Sequence, residues 1–295
     1  MRKNGHVSQP ESAHVVIIGG GPGGYEAALV ARASGAEVTI VDRDGLGGSA
    51  VLTDCVPSKT LIATSNVIAS AAHSAELGVR INGTEATPGQ IGVDLVVVNE
   101  RIKALAAAQS EDIAEKLVAE GITIIRGRGR LTGPDSVMAL DESGRMTQLH
   151  ADVILIATGA RPRVMDTALP DGDRILTWEQ VYDLLELPER LIVVGSGVTG
   201  AEFAGAYHAL GSNVVLVSSR DRVLPSEDPD AAQVLEDVYA RNGLEVMSHS
   251  RAIAARRTEF GVEVDLEDGR IVTGSHVLMA VGSLPNTDDL GLEDA

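Results

Sequence analysis

Short continuous apolar runs, each closed by a cluster of glycines, set the rhythm of this chain. His14-Val15-Val16-Ile17-Ile18 is the first. Such a run, with no polar alternation, predicts a strand covered on both faces. Gly19-Gly20-Gly21-Pro22-Gly23-Gly24 follows, and Tyr25 to Ser34, with Ala27, Ala28, Val30 and Ala31, predicts a closely packed helix. Gly35 supplies a left-handed cap, and Val38 to Val41 predicts the next strand, ending at Asp42. The same order then returns: Leu191 to Val194, Gly195-Ser196-Gly197-Val198-Thr199-Gly200, a helix from Ala201 to Leu210, Gly211, and a strand from Val214 to Val217. Gly19 and Gly195 are 176 positions apart, and Gly35 with Gly211 and Asp42 with Ser218 keep that offset.

Between the repeats, Pro57 opens a helical stretch reaching about Leu77. A second runs from about Asp94 to Glu120, with Leu105, Ala108, Ile113 and Leu117 on one stripe. Together they predict an antiparallel hairpin, at about 57–120, beside the first repeat. A strand at Ile122–Ile125 and a turn-rich run to Arg145 read as a small β-meander. Asp152 to Ala157 predicts a buried strand ending in Thr158-Gly159. Val277 to Ala280 ends likewise in Val281-Gly282, and Leu244 to Val272 alternates as an antiparallel meander does. The expected class is therefore α/β: two Rossmann-like dinucleotide-binding domains with helical-hairpin and β-meander insertions. Their expected bounds are a disordered polar tail at 1–12, a first domain at 13–165, a second at 166–287, and a return to the first beginning at 288–295.

The repeated G-x-G-x-x-G carries the chemistry. Gly19 and Gly195 permit the tight turn, Gly21 and Gly197 let backbone approach a pyrophosphate, and Gly24 and Gly200 let helix and strand pack closely. The helix N-terminus then offers N–H groups and partial positive charge to the anion. At the end of the second strand an acid reads the ribose hydroxyls, and Asp42 is placed to do so. The second repeat has Ser218, Ser219 and Arg220 there. A carboxylate repels a 2′-phosphate, whereas Ser and Arg bind one, so the second site is expected to accept NADPH without excluding NADH. The plainer alternative makes Arg220 a solvated loop residue.

Composition narrows the partners. The chain has 295 residues, 44% apolar and 22% charged, enough for about two domains. Its net charge of −18 and seven aromatic residues argue against a nucleic-acid partner. One cysteine, Cys55, excludes a disulfide framework and a multi-cysteine metal site, and the seven scattered histidines predict no metal. No apolar stretch reaches the length of a spanning helix, and the N-terminus lacks the core of a signal peptide, so the expected location is cytoplasmic.

At these residues the chain resembles the flavoprotein disulfide reductases, which include dihydrolipoyl dehydrogenase and glutathione reductase. The resemblance covers residues 13–295. It rests on the first glycine motif, Gly47-Gly48 with Cys55-Val56-Pro57-Ser58-Lys59, Ala157-Thr158-Gly159, Gly195 to Gly200 with Ala201-Glu202, and Ala280-Val281-Gly282-Ser283-Leu284-Pro285-Asn286. It implies FAD on the first repeat, NADPH or NADH on the second, and hydride flow between them. The nucleotide-binding residues expected in all are Gly19, Gly21, Pro22, Gly23, Gly24, Asp42, Arg43, Gly47, Gly48, Ser49, Lys59, Gly129, Ala157, Thr158, Gly159, Gly195, Gly197, Val198, Thr199, Gly200, Glu202, Ser218, Ser219, Arg220 and Gly282. Gly129 is included because Gly127-Arg128-Gly129-Arg130-Leu131 resembles the loop whose backbone meets the adenine; the alternative is an ordinary turn glycine. Lys59 and Glu202 match a pair that lies near flavin N5, where a cation favours the anionic reduced ring.

Two departures change what the resemblance implies. The family's redox dithiol has two cysteines five positions apart, but here Ala50 holds the outer position and Cys55 alone remains. A methyl group attacks no disulfide, and Cys55 is left either against the flavin or as a small buried hydrophobe. Gly47-Gly48-Ser49-Ala50-Val51-Leu52-Thr53-Asp54-Cys55 is similar to the disulfide-lacking NAD(P)H-quinone reductases of dihydrolipoyl-dehydrogenase type. The expected function is hydride transfer from NAD(P)H through FAD to a quinone, with Lys59, Glu202 and Cys55 as catalytic candidates. The rivals are a thiol oxidoreductase acting through Cys55 and a nucleotide-binding module without flavin. The family also continues past residue 295, into a Gly-Asp motif and a C-terminal dimerisation domain carrying a His–Glu pair. This chain is therefore expected to be an N-terminal portion, with a homodimer expected of a full-length relative.

Overall fold

A computed structural model describes residues 12–81, 83–85 and 91–295. The polar tail expected at 1–12 lies, but for residue 12, outside the described residues. The chain runs β1 (His14–Ile18), α1 (Pro22–Ala33), β2 (Glu37–Asp42), α2 (Gly48–Leu52) and α3 (Cys55–His73). A short pair, β3 (Arg80–Ile81) and β4 (Thr84–Glu85), precedes α4 (Leu95–Ala119). Then come β5 (Thr123–Gly133), β6 (Ser136–Asp141), β7 (Met146–His150), β8 (Val153–Ile156), β9 (Ala160–Pro162) and β10 (Ile175–Thr177). The second repeat supplies β11 (Arg190–Val194), α5 (Val198–Leu210), β12 (Asn213–Val217), α6 (Pro229–Arg241) and β13 (Glu245–Met247). β14 (Ala252–Arg257), β15 (Val262–Leu266), β16 (Ile271–Gly274), β17 (His276–Met279) and β18 (Ser283–Pro285) complete it.

The chain divides into two compact units. The first holds residues 12–52, Ala108–Gly159 and Pro285–Ala295. Its sheet has the order β7-β6-β5-β2-β1-β8. β1 pairs in parallel with β2 and β8, so it lies in the interior of the sheet. Ile17 faces a cluster with Ala28, Ile40 and Leu117, while Val16 and Ile18 face one with Leu131 and Val137. Each such side chain contributes about 1.5–3 kcal/mol by leaving water, and that two-sided burial is why the run lacks alternation. β5 changes partner midway: Thr123–Arg126 pair in parallel with β2, and Gly127–Gly133 pair antiparallel with β6. The meander continues through β7, beyond its expected end at Arg145.

The second unit holds Thr53–Ala107 and Ala160–Leu284. Its five-stranded sheet, β10-β17-β11-β12-β13, is parallel throughout. Leu191 and Val193 face a cluster with Phe203, Tyr207 and Leu210 of α5, and Ile192 and Val194 face one with Val262, Val264 and Leu266 of β15. Leu61 of α3 and Leu95 and Ile102 of α4 belong to the α5 cluster. These helices were expected beside the first repeat; α3 and the start of α4 pack on α5 of the second unit, whereas Ala114 and Leu117 at the end of α4 join the first unit's cluster as expected. The expected antiparallel meander is also shortened: β13 joins the main sheet in parallel, and only β14 to β16 run antiparallel. α6 was not anticipated, although Asp228-Pro229 signals it. Asp228 caps the helix, accepting from the Asp230 and Ala231 N–H groups at 2.9 and 3.3 Å.

Candidate functional site

In the first unit the glycines fall into two physical kinds. Gly19 has φ +107°, and a Cβ there would lie 2.2 Å from the Ala157 carbonyl oxygen; one on Gly24 would lie 1.9 Å from the Gly19 oxygen. These two let α1, β1 and the end of β8 pack. Gly21 and Gly23 are different. A Cβ on Gly21 would meet only Gly48 Cα, at 3.8 Å, and one on Gly23 would meet nothing within 4 Å. α1 begins here with no side-chain cap and with Pro22 in its first turn. An open, side-chain-free surface over an uncapped helix N-terminus fits a pyrophosphate. Gly47 donates its N–H to the Gly20 oxygen at 2.8 Å, and Gly48 stands so near Gly21 that its Cβ would lie 2.8 Å from the Gly21 Cα. Ser49 beside them is exposed.

Asp42 is busier than its ribose-reading expectation allows. Oδ2 accepts the Gly20 N–H at 2.7 Å, and Oδ1 accepts those of Asp44 and Gly45 at 3.1 and 2.6 Å. Three of about four acceptor sites on the carboxylate are thereby used to hold the turn. Arg43 is exposed and pairs with Asp44 at 2.7 Å. Gly129 lies in β5, paired with Ala139, and is neither a loop nor a turn residue; a Cβ there would press on Ile18 at 3.1 Å and Val41 at 3.4 Å. Ala157 donates to the Ile18 oxygen at 2.8 Å. Thr158 and Asn286 clasp each other: Thr158 Oγ1 donates to the Asn286 oxygen at 2.6 Å, Asn286 Nδ2 donates to the Thr158 oxygen at 2.9 Å, and the Asn286 N–H reaches the Gly159 oxygen at 3.0 Å.

The second unit repeats the glycine geometry. Gly195 has φ +111°, with its Cβ position 2.1 Å from the Ala280 oxygen, and the Gly200 position is 1.8 Å from the Gly195 oxygen. Around Gly197 there is nothing within 4 Å, and α5 starts there without a side-chain cap. Val198 is exposed and Thr199 half-buried in its first turn. Ala280 donates to the Val194 oxygen at 2.8 Å, as Ala157 does to Ile18. Gly282 is exposed with φ +97°, in the position Gly159 holds in the first unit.

Ser218 corrects the sequence reading. It is fully buried, 2.6 Å from the Ser196 hydroxyl, and its oxygen accepts the Arg220 N–H at 3.0 Å. The side chain is spent inside the unit, while Ser219 and Arg220 beside it are exposed.

Within the second unit, α3 and α5 bring the charged candidates together. Lys59 Nζ lies 2.5 Å from Glu202 Oε1, and Ser58 Oγ lies 3.5 Å from Oε2. Burial and the Glu202 charge push the Asp54 carboxyl up, with Lys59 opposing. Burial, with Glu202 adding, pushes the Tyr239 phenol up to about 12 while it donates to the Ala201 oxygen at 2.6 Å. Cys55 is exposed, which overturns its reading as a small buried hydrophobe. Beside it a groove of about 450 Å³ is lined by Cys55, Val56, Lys59, Thr60, Ala63 and Arg101. Asp54 and Arg101 were not anticipated. Arg101 lies on α4, and only the tertiary fold brings it to α3.

Among the described residues no group of three or more acidic, His or Cys side chains can hold a metal ion, and no helix is long and apolar enough to cross a membrane. The family model described as pyridine nucleotide-disulphide oxidoreductase matches residues 13–295, and the chain belongs to that family. Membership implies FAD and NAD(P)H as cofactors. Over 288 residues the chain is 50% identical to the NAD(P)H dehydrogenase (quinone) of Mycobacterium tuberculosis, covering 95% of this chain and 57% of that protein. It is 33% identical over 285 residues to the dihydrolipoyl dehydrogenase of Chlorobaculum parvum, covering 95% and 59%. The crystal structure of LpdA from Mycobacterium tuberculosis matches with a TM-score of 0.89 at 48% identity, covering 96% of this chain and 61% of that one. The chain thus spans less than two thirds of the length of these relatives.

Proposed function

We propose that the chain is the nucleotide-binding part of an NAD(P)H dehydrogenase that reduces a quinone-type acceptor without a redox disulfide. FAD would lie on the open turn at Gly21 and Gly23, and the nicotinamide nucleotide on that at Gly197. The observation that carries the reading is Cys55: one exposed thiol with Ala50 where the family has the second. When bound, FAD supplies a two-electron carrier between nicotinamide and acceptor. The protein's part is electrostatic. Lys59, held by Glu202, would supply positive charge that favours a ring gaining negative charge on reduction. Arg101 and Lys59, lining the groove with Val56 and Ala63, suit an acceptor that becomes more negative as it is reduced. Arg220 would favour NADPH.

The exposure of Cys55 favours a second reading, thiol exchange with an external dithiol. Steady-state NADPH oxidation separates the two. A water-soluble benzoquinone should sustain turnover at least tenfold faster than lipoamide, and comparable lipoamide rates would replace the first reading by the second.

A further inference from the structure

Arg222 is a half-buried cation that the second unit does not neutralise. Its Nε is buried without a hydrogen-bond partner, and among the described residues no carboxylate pairs with it. Arg190, Arg256, Arg257 and Arg270 of the same unit each reach one. A charged donor left buried and unpaired opposes folding, so Arg222 suits an anion that arrives from outside. The backbone holds it against the nucleotide turn. The Ser196 hydroxyl, between Gly195 and Gly197, donates to the Arg222 oxygen at 3.3 Å, and the Leu224 N–H donates to the Ser196 oxygen at 2.8 Å. The Val223 N–H donates to Glu236 Oε1 of α6 at 2.7 Å. At the other end, Ser218 Oγ accepts the Arg220 N–H at 3.0 Å, and the His249 N–H donates to the Arg220 oxygen at 2.8 Å. Leu224 is held at φ +51°, which bulky residues rarely adopt. The segment 218–224 is thus fixed at both ends, with Arg220 and Arg222 on either side of Asp221.

The end of β12 holds no acid to read a ribose 2′-hydroxyl, because Ser218 stands there and is buried. A 2′-phosphate carries a charge of about −1.5 to −2 near pH 7, and Arg220 alone balances about half of it. We propose that Arg222 is the second cation of the 2′-phosphate site and a specificity-determining residue: with Arg220 it matches the phosphate dianion and sets the preference for NADPH over NADH. Asp221 between them is exposed and pairs with neither, so water and salt screen its opposing charge. The inference rests on the reading that the nicotinamide nucleotide lies on the turn at Gly197, and it is independent of the quinone and of the flavin.

Calorimetric titration of the purified chain with NADP⁺ and with NAD⁺ makes the test. Arg222→Gln should weaken NADP⁺ binding about tenfold, the loss of one charge-assisted contact, and NAD⁺ binding by less than about twofold. Arg222→Lys, which keeps the charge, should recover most of that loss. Added salt should narrow the gap between the wild type and Arg222→Gln for NADP⁺, because screening weakens the interaction that the variant lacks. An unmoved NADP⁺ Kd in Arg222→Gln overturns the proposal. So does an equal loss for both nucleotides, which would make Arg222 a support of the turn. Thermal melting checks that the variant folds; if it does not, Arg222→Met, which keeps an apolar stem and removes the charge, decides by the same ratio. A wild-type chain that binds neither nucleotide would overturn the nucleotide reading and this inference together, whereas binding of both with an unmoved ratio in the variant overturns the inference alone.

Discussion

Replacing Gly197 and Gly200 one at a time by alanine separates a glycine that faces a ligand from one that packs the fold. At Gly200 the new methyl would lie 1.8 Å from the Gly195 oxygen, where ordinary contact begins at 3.4 Å, so α5 must give way by about 1.6 Å. α5 cannot retreat freely, because Phe203, Tyr207 and Leu210 anchor it in the core. Overpacking of this kind costs about 1–3 kcal/mol, or about 2–12 °C in Tm for a unit of this size. At Gly197 no atom lies within 4 Å of the methyl. Alanine is a poorer N-cap than glycine, but it also orders the unfolded chain, and the two effects of about 0.5–1 kcal/mol nearly cancel. Tm should therefore stay within about 2 °C of the wild type. The methyl does cover the head of α5, where a pyrophosphate would accept N–H groups. Losing one charge-assisted hydrogen bond costs about 1.5–3 kcal/mol, a Kd for NADP⁺ weaker by about 10–150-fold. Calorimetric titration and thermal melting of both variants make the test. Unchanged NADP⁺ affinity in Gly197→Ala would place the nucleotide elsewhere, and an unchanged Tm in Gly200→Ala would refute the close approach.

Arg220→Ala should weaken NADPH binding about tenfold, the loss of one charged contact, and leave NADH unchanged; equal loss for both cofactors, read by titration, would show that Arg220 does not meet the 2′-phosphate. Thr158→Val removes the 2.6 Å donation to the Asn286 oxygen and should cost about 1–2 kcal/mol in urea unfolding; no loss would mean that the clasp contributes nothing. Burial, with the Arg174 charge adding, holds His276 below its ordinary 6.5, while Asp173 and Asp171 oppose. Its folded value is depressed, so the stability it contributes is complete above about pH 6.5 and lost as pH falls through the lower folded value. His276→Gln should therefore flatten the decline in urea midpoint below pH 6.5, and an unaltered decline would assign the acid sensitivity to other groups.

What was legible in the sequence is what local geometry demands. Gly19 and Gly195 share a φ near +110°, which favours glycine, and the constant offset exposed them. The end of each sheet was legible by likeness alone, since Ala157 and Ala280 play one role at a different spacing. What remained hidden depends on distant partners. An apolar stripe on α4 says that a face is buried, not that Leu95 and Ile102 join the cluster of Phe203 and Tyr207 while Ile113 and Leu117 join that of Ile17. Ser218 looked like a ligand because nothing local announces that Ser196 takes its hydroxyl. β13 alternates as an antiparallel strand does, because a three-residue strand at the edge of a parallel sheet is also covered on one side.

The measurement that bears most directly on the account is an anaerobic stopped-flow reaction of the FAD-reconstituted protein, first with NADPH and then with either a soluble benzoquinone or lipoamide. The account predicts that NADPH bleaches the flavin absorbance, that the quinone restores it within the time of a turnover, and that lipoamide does not. Restoration by lipoamide at a rate matching the quinone, or no bleaching of bound flavin by NADPH, would contradict it.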